Sequence, residues 1–348
     1  MANRKCVLPQ VGRSPGEPGF QILESPIPAE IPANHVLLRV LASGICHSDT
    51  VVVLGMRGVK FPAVPGHEVI GKVVRVGAGD VAREFEAGSI VGVGWHADHC
   101  SSCEACTDGD FICCERLKVC GVDIPGGYQD YMVAPAKGLA RVPEGMDPVK
   151  AAPIMCAGVT VFNSLRRNNE HAKPPALVAV VGIGGLGHLA IQYAAKMGYT
   201  VVAISRGTDK RDYALQLGAS HYINSQEDRV AESLKALGGA KVVLSTAPDS
   251  KAMGDCIDGL SRNGRLVVLG HAREPTPLVL SQLIRKRKSI VGFPAGTCRD
   301  SQDALEFAHL NGIESRTVVF DGVDKAPEAY AAMIRGEYRV VLKIAHDY

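Results

Sequence analysis

The sequence predicts an α/β protein of two parts: a domain built on a doubly wound parallel sheet, and a second, β-rich domain. Three observations predict it. The chain has 348 residues, room for two domains at about 150 residues each. Before residue 174 the apolar runs are short and broken by Gly and Pro, whereas after it unbroken Val/Ile/Leu runs alternate with helical patterns. Between the first such run and its helix lies the glycine turn GIGGLG.

Taken in order, HVLLRVLASGI (35–45), VIGKVVRVG (69–77) and SIVGVGW (89–95) suit short, bent strands of a compact barrel-like domain. PPALVAVVGIGGLGHLAIQYAAKMG then reads as strand, turn and helix, and TVVAIS (200–205) as a second strand. The pattern DKRDYALQLGA predicts a helix ending at glycine, with Asp209 as its cap or first-turn acid. KVVLSTAP (241–248), GRLVVLGH (264–271) and SIVGF (289–293) are further apolar strands. Such strands, alternating with helices, describe a parallel sheet covered on both faces. The tail adds the helices SQDALEFAHLNG and APEAYAAMIRGE and a last strand, YRVVLKI. The expected domains are 1–152, with a cysteine-rich lobe at about 96–118, then 153–294, with 295–348 returning to the first.

Charge excludes some functions. Lys and Arg number 38 against 36 Asp and Glu, a net charge of +2, so no nucleic-acid partner is expected. The densest basic run, RKRK (285–288), has no interleaved aromatic residue and reads as a solvated helix end. No apolar stretch approaches the ~20 residues that span a bilayer. With no secretory signal in MANRKCVLPQVGRSP, a soluble, cytoplasmic protein is expected.

Eleven cysteines in such a protein point to metal or chemistry rather than disulfides. Five of them crowd into CSSCEACTDGDFICC (100–114). Cys100, Cys103, Cys106 and Cys114 are spaced so that four thiolates can close on one tetrahedral zinc, with no open position and hence a structural role. Cys113 could take the fourth place instead.

The turn Gly182-x-Gly184-x-x-Gly187, with Ile183, Gly185 and Leu186 between, follows an apolar strand and opens a helix. This context marks a dinucleotide site, with the pyrophosphate at the helix N-terminus. An NAD site usually places Asp or Glu at the end of the second strand. Here that strand ends Ser205-Arg206-Gly207-Thr208. Arg206 can stack on adenine and bind a 2′-phosphate, Ser205 or Thr208 can donate to it, and Lys210 adds charge, so NADP(H) is expected over NAD(H).

Three further residues sit beside glycines, in a turn or at a strand end: Cys46 in GICHSD, His67 in PGHE and Cys156 in IMCAGVT. Two thiolates and one imidazole would make a neutral shell for Zn²⁺ with a fourth position open. Each alone is ordinarily a core or surface residue, and their separation in sequence decides nothing.

The order GICHSD, PGHEVIGKVVRVG, the four-cysteine loop, GGYQDY and MCAGVTV resembles the zinc-containing medium-chain alcohol dehydrogenases, over nearly the whole chain. The resemblance implies a GroES-like catalytic domain, a Rossmann domain and two zinc ions, with the four-cysteine loop as the structural zinc lobe. It implies Cys46, His67 and Cys156 as catalytic zinc ligands, Glu68 as a carboxylate that can approach the metal, and Asp49 as the partner orienting His67. Ser48 matches the hydroxyl of the proton relay, but the relay histidine is replaced by Val51, which cannot carry a proton. His47, Thr160 and Arg339 match cofactor contacts, Arg339 with the pyrophosphate; without the resemblance Arg339 reads as a surface residue. Trp95 would line the substrate pocket, although a plain core role suits it equally. A homo-oligomer, dimer or tetramer, is implied.

The leading reading is therefore interconversion of primary alcohols and aldehydes, with the metal polarising the carbonyl. Reduction of a C=C bond in an unsaturated carbonyl is the nearest alternative. A polyol dehydrogenase would carry Glu in place of Cys156. A catalytically silent zinc- and nucleotide-binding protein has Val51 as its only support.

Overall fold

The structure, a computed structural model, describes residues 2–270 and 274–346. It divides into two units: Met1–Val159 with Gly296–Leu310 and Glu314–Tyr348, and Thr160–Ala295 with Asn311–Ile313. The first divide falls inside the helix Ala157–Arg167.

In the second unit six strands form a parallel sheet, in the order His221–Asn224, Thr200–Ser205, Leu177–Val181, Ala240–Ser245, Leu260–Val268, Ser289–Gly292. Numbered along the chain this is 3-2-1-4-5-6, the Rossmann order. Every residue of Leu177–Val181 is buried, as an inner strand covered on both faces must be. The strand Leu260–Val268 starts earlier than its apolar run, through a bend at Asn263 (φ +58°). His271, placed at its end by the sequence, lies outside the described residues. Strand order reverses between Leu177–Val181 and its neighbour Ala240–Ser245, so the turn after Val181 opens at a switch point.

Two expectations are corrected here. The helix after the second strand is Arg211–Gln216, with Lys210 at its N-cap and Asp212 as the first-turn acid, so Asp209 precedes the helix and does not cap it. The run RKRK is not wholly solvated. Lys288 is buried at its side chain, donates to the Ile257 carbonyl at 2.7 Å and lies 3.5 Å from Asp258, because the last carbonyl of the helix Ser250–Ile257 needs a donor.

The first unit holds a seven-stranded sheet whose central strand is His35–Ile45. It lies between Arg339–Lys343 and Glu68–Val76, both antiparallel to it. Register positions the chemistry. Val340 faces Ile45 and Gly44 faces Glu68, so Cys46, the pair His67–Glu68 and Arg339 emerge at one end of three adjacent strands. Val36, Leu38, Val40, Val69, Val73, Val91, Val340 and Leu342 form the core beneath them. Among the described residues no helix is long and apolar enough to cross a membrane.

Candidate active site

Cys46 leaves the central strand and starts a short 3-10 turn, His47–Asp49. Its N–H donates to Asp49 Oδ2 at 2.9 Å, and Asp49 N–H donates to the Cys46 carbonyl at 3.0 Å. His67 follows Gly66, whose φ of +103° turns the chain into the next strand. Its Nδ1 lies 2.9 Å from Asp49 Oδ1, so Nε2 is the free ring nitrogen, buried and with no hydrogen bond. Cys156 ends the 3-10 turn Ala152–Met155 with its Sγ 3.8 Å from that of Cys46. The ligand atoms of Cys46, His67, Cys156 and Glu68 all lie within 4.8 Å of one another. A buried nitrogen without a partner beside two sulfurs is a donor set that fits Zn²⁺.

Burial and neighbouring groups shift the thiol and the carboxylate here in opposite directions. The hydrogen bond from Cys156 holds the Cys46 thiol well below its usual range against the cost of burial, with His67 and Arg339 assisting. Burial pushes Glu68 up to about 7, against the attraction of Arg339. Glu68 is fully buried; Arg339 pairs with its Oε1, and Oε2 is left without a partner. The site tolerates no crowding on this side: a Cβ on Gly44 would lie 2.0 Å from Glu68 Oε2.

Arg339 is thus not a surface residue. It is 4% exposed and opposes a carboxylate 271 positions away in sequence. Ser48 Oγ lies 3.7 Å from Cys46 Sγ, half-buried, while His47 is exposed and Val51 packs against the core. Trp95 stands edge-on to the His67 ring, centroids 5.1 Å apart at 89°, and the Arg57 guanidinium lies 6.0 Å above the indole.

The second cysteine cluster consists of Cys100, Cys103, Cys106 and Cys114, again with sulfurs within 4.8 Å. Cys114 lies 3.5 Å from Cys100 and 3.8 Å from Cys103, and its sulfur accepts the N–H groups of Cys100 and Arg116. Cys113 is exposed and outside the cluster.

In the second unit the glycines differ in what they do. Gly182 (φ +89°) makes the turn, Gly184 has open space where a Cβ would stand, and a Cβ on Gly187 would collide with the Gly182 carbonyl at 1.8 Å. The open face at Gly184 is where a phosphate could approach backbone N–H groups at the start of the helix Gly187–Lys196. Lys210 Nζ donates to the Ile183 carbonyl at 3.1 Å, so its charge sits at this turn, while Arg206 is exposed at the strand end. Ile183 is buried beneath the turn, Gly185 and Leu186 complete it, and Ser205 and Thr160 are at least half-buried.

Two family models match the chain: the alcohol dehydrogenase GroES-like domain over residues 32–144 and the zinc-binding dehydrogenase over residues 185–310. The alcohol dehydrogenase patD of Penicillium expansum is 43% identical over 312 residues, 88% of each chain. The chain belongs to the zinc-containing medium-chain alcohol dehydrogenases. Cinnamyl alcohol dehydrogenase 7 of Arabidopsis thaliana is 34% identical over 322 residues, 89% of this chain and 88% of the relative. A solved cinnamyl alcohol dehydrogenase from Sorghum bicolor has a TM-score of 0.84 at 30% identity, over 100% of this chain and 99% of that one.

This alcohol dehydrogenase also uses residues that its sequence did not mark. Thr246 Oγ1 donates to the Val181 carbonyl at 2.8 Å and His188 Nδ1 lies 2.9 Å from the Gly184 carbonyl, so both ends of the glycine turn are held. Asn224 accepts the Gly207 N–H at 2.8 Å, fixing the loop that carries Arg206. His188, directly after the third glycine, had a positional signal; Thr246 and Asn224 reach the turn only through the sheet.

Proposed function

We propose that this alcohol dehydrogenase reduces aldehydes to primary alcohols with NADPH, using zinc held by Cys46, His67 and Cys156, and a second, structural zinc held by the four-cysteine cluster. The observation that carries the reading is the buried, partnerless His67 Nε2 facing two thiols 3.8 Å apart. Bound zinc would supply Lewis-acid polarisation of the substrate oxygen, and bound NADPH the hydride. The chain's own part is positional. Asp49 orients the His67 ring, Trp95 walls the site beside that ring, and Ser48 Oγ holds the proton that the substrate oxygen takes. Val51 ends the side-chain route, so Ser48 would have to regain its proton through water or, with the cofactor bound, by way of its ribose. The names of the relatives, alcohol and cinnamyl alcohol dehydrogenases, support the substrate class.

The test is incubation with NADPH and an unsaturated aromatic aldehyde, with chromatography of the product. Unsaturated alcohol is expected; saturated aldehyde would replace the proposal with C=C reduction.

NADP(H) preference rests on Arg206 beside a strand end that lacks a carboxylate. Losing a hydrogen bond to a charged phosphate costs about 1.5–3 kcal/mol. Arg206→Ala should therefore lower kcat/KM for NADPH by roughly 10- to 100-fold and leave that for NADH nearly unchanged. Equal losses with both cofactors would remove Arg206 from the 2′-phosphate. A homo-oligomer would cover Val279, Leu280 and Ile284, which are 64%, 71% and 78% exposed next to the edge strand Ser289–Gly292; sedimentation equilibrium reads this directly.

A further inference from the structure

The motif GGYQDY has no part in the function so far, yet its tyrosine lies against the open metal site. Tyr128 is fully buried, and its hydroxyl donates to Asp49 Oδ2 at 2.8 Å. The same oxygen accepts the Cys46 N–H at 2.9 Å, and Oδ1 faces His67 Nδ1 at 2.9 Å. One buried carboxylate therefore receives three donors, two of them from residues that carry the candidate ligand atoms. Burial, with the Asp49 charge behind it, raises the phenol well above its ordinary range, so the hydroxyl keeps its hydrogen and can only donate to the carboxylate.

The backbone of the motif is built to bring the ring there. Residues 126–128 run beside 64–66: Gly126 N–H donates to Val64, Gly127 N–H to Gly66 and Tyr128 N–H to Pro65. The two segments approach so closely that a Cβ on Gly126 would lie 2.2 Å from the Gly66 carbonyl, while one on Gly127 would lie 2.6 Å from Ser43 Oγ. The Tyr128 ring covers Gly66, where a Cβ would stand 2.6 Å from it. Gly66 is the residue before His67. Tyr128 thus touches both routes to the imidazole: the backbone that delivers it and the carboxylate that orients it.

We infer that Tyr128 is a positioning residue for metal binding, its hydroxyl fixing Asp49 so that His67 Nε2 and the Cys46 thiolate are held in ligating geometry before the metal arrives. The inference rests on the reading of Cys46, His67 and Cys156 as metal ligands. Partners that orient a ligating histidine commonly contribute 10–100-fold to metal affinity, and a donor onto that partner acts through the same bond.

The experiment uses the four-cysteine cluster as an internal control. Zinc-loaded wild type and Tyr128→Phe are mixed with a chromogenic chelator, and release is followed per chain. Wild type should hold two zinc ions and release them in two phases. In Tyr128→Phe the open-site phase should be about 10–100-fold faster, with the four-cysteine phase unchanged. The visible bands of cobalt bound at the open site should shift as well, which lost packing alone would not cause. Urea unfolding of the metal-free and zinc-loaded proteins separates the two roles, because a positioning role costs the loaded form more than the metal-free one, whereas a packing role costs both equally. Unchanged release overturns the inference. So does a variant that loses both metals together or is destabilised equally without metal. Wild type holding one zinc would instead overturn the ligand reading itself, and the inference with it.

Discussion

Changing Cys156 to alanine is expected to leave a folded protein with one zinc per chain and a kcat/KM lower by on the order of 10³ or more. The site offers two sulfurs and one imidazole nitrogen. Together these neutralise a divalent cation, so removing one thiolate loses both a ligand and half the compensating charge. A Lewis acid is worth several kcal/mol in such a reaction, and each 1.36 kcal/mol is tenfold in rate. Cys156 is only half-buried, so lost packing contributes little beside this. Cofactor binding should be unchanged in a fluorescence titration with NADPH, since the glycine turn Gly182–Gly187 belongs to the other unit. Glu68 Oε2, buried without a partner among the same ligand atoms, is positioned to substitute for the lost sulfur. Any metal retained in Cys156→Ala should accordingly disappear in Cys156→Ala/Glu68→Gln. Full activity in a one-zinc protein would end the open-site reading.

The second unit could be read from its sequence because its strands are buried on both faces. Leu177–Val181 and Thr200–Ser205 carry unbroken apolar runs, and their bounds follow those runs closely. The edge strand His221–Asn224 left no such mark: HYIN is half-polar and partly exposed, so nothing in it separates a strand from a loop.

The same division holds at the candidate site. Four cysteines close in sequence announced a cluster, since a short loop brings them together without help from the fold. Cys46, His67 and Cys156 are joined by sheet register and a turn, which a sequence does not display; resemblance supplied them. Charged residues misled most. Arg339 reads as solvated because arginine usually is, but its carboxylate partner, Glu68, comes from a neighbouring strand end. The role of Tyr128 goes unmarked in the sequence for the same reason: its hydroxyl meets Asp49 across 79 positions.

Disrupting the four-cysteine cluster should have the largest effect on stability, confined at first to its own lobe. Between residues 100 and 117 the only buried residues are Cys106 and Cys114. No aliphatic core holds this segment, so the thiols are its interior. What else fixes it is peripheral: Phe111 stacked on His99 with centroids 4.2 Å apart, and the exposed bonds Lys137–Ser101 and Arg116–Ser102. Structural zinc contributes about 10–16 kcal/mol to the folding of isolated zinc-finger peptides. Only part of such a sum reaches the whole protein here, because a segment with so few apolar contacts can open while the sheet stays folded. Cys103→Ser should therefore keep the open-site zinc and lose the other. Trypsin should cut at Arg116 and Lys118 at least about tenfold faster than in wild type, tenfold corresponding to about 1.4 kcal/mol of local opening. Unfolding temperature should fall less than the lobe's own loss would suggest. The first effect beyond the lobe should be on KM, because Cys120 N–H donates to the Trp95 carbonyl at 3.2 Å and the lobe strand His96–Asp98 follows directly from Trp95. A variant as resistant to trypsin as wild type would mean that the lobe is held by its polar contacts, and that the four sulfurs converge for another reason.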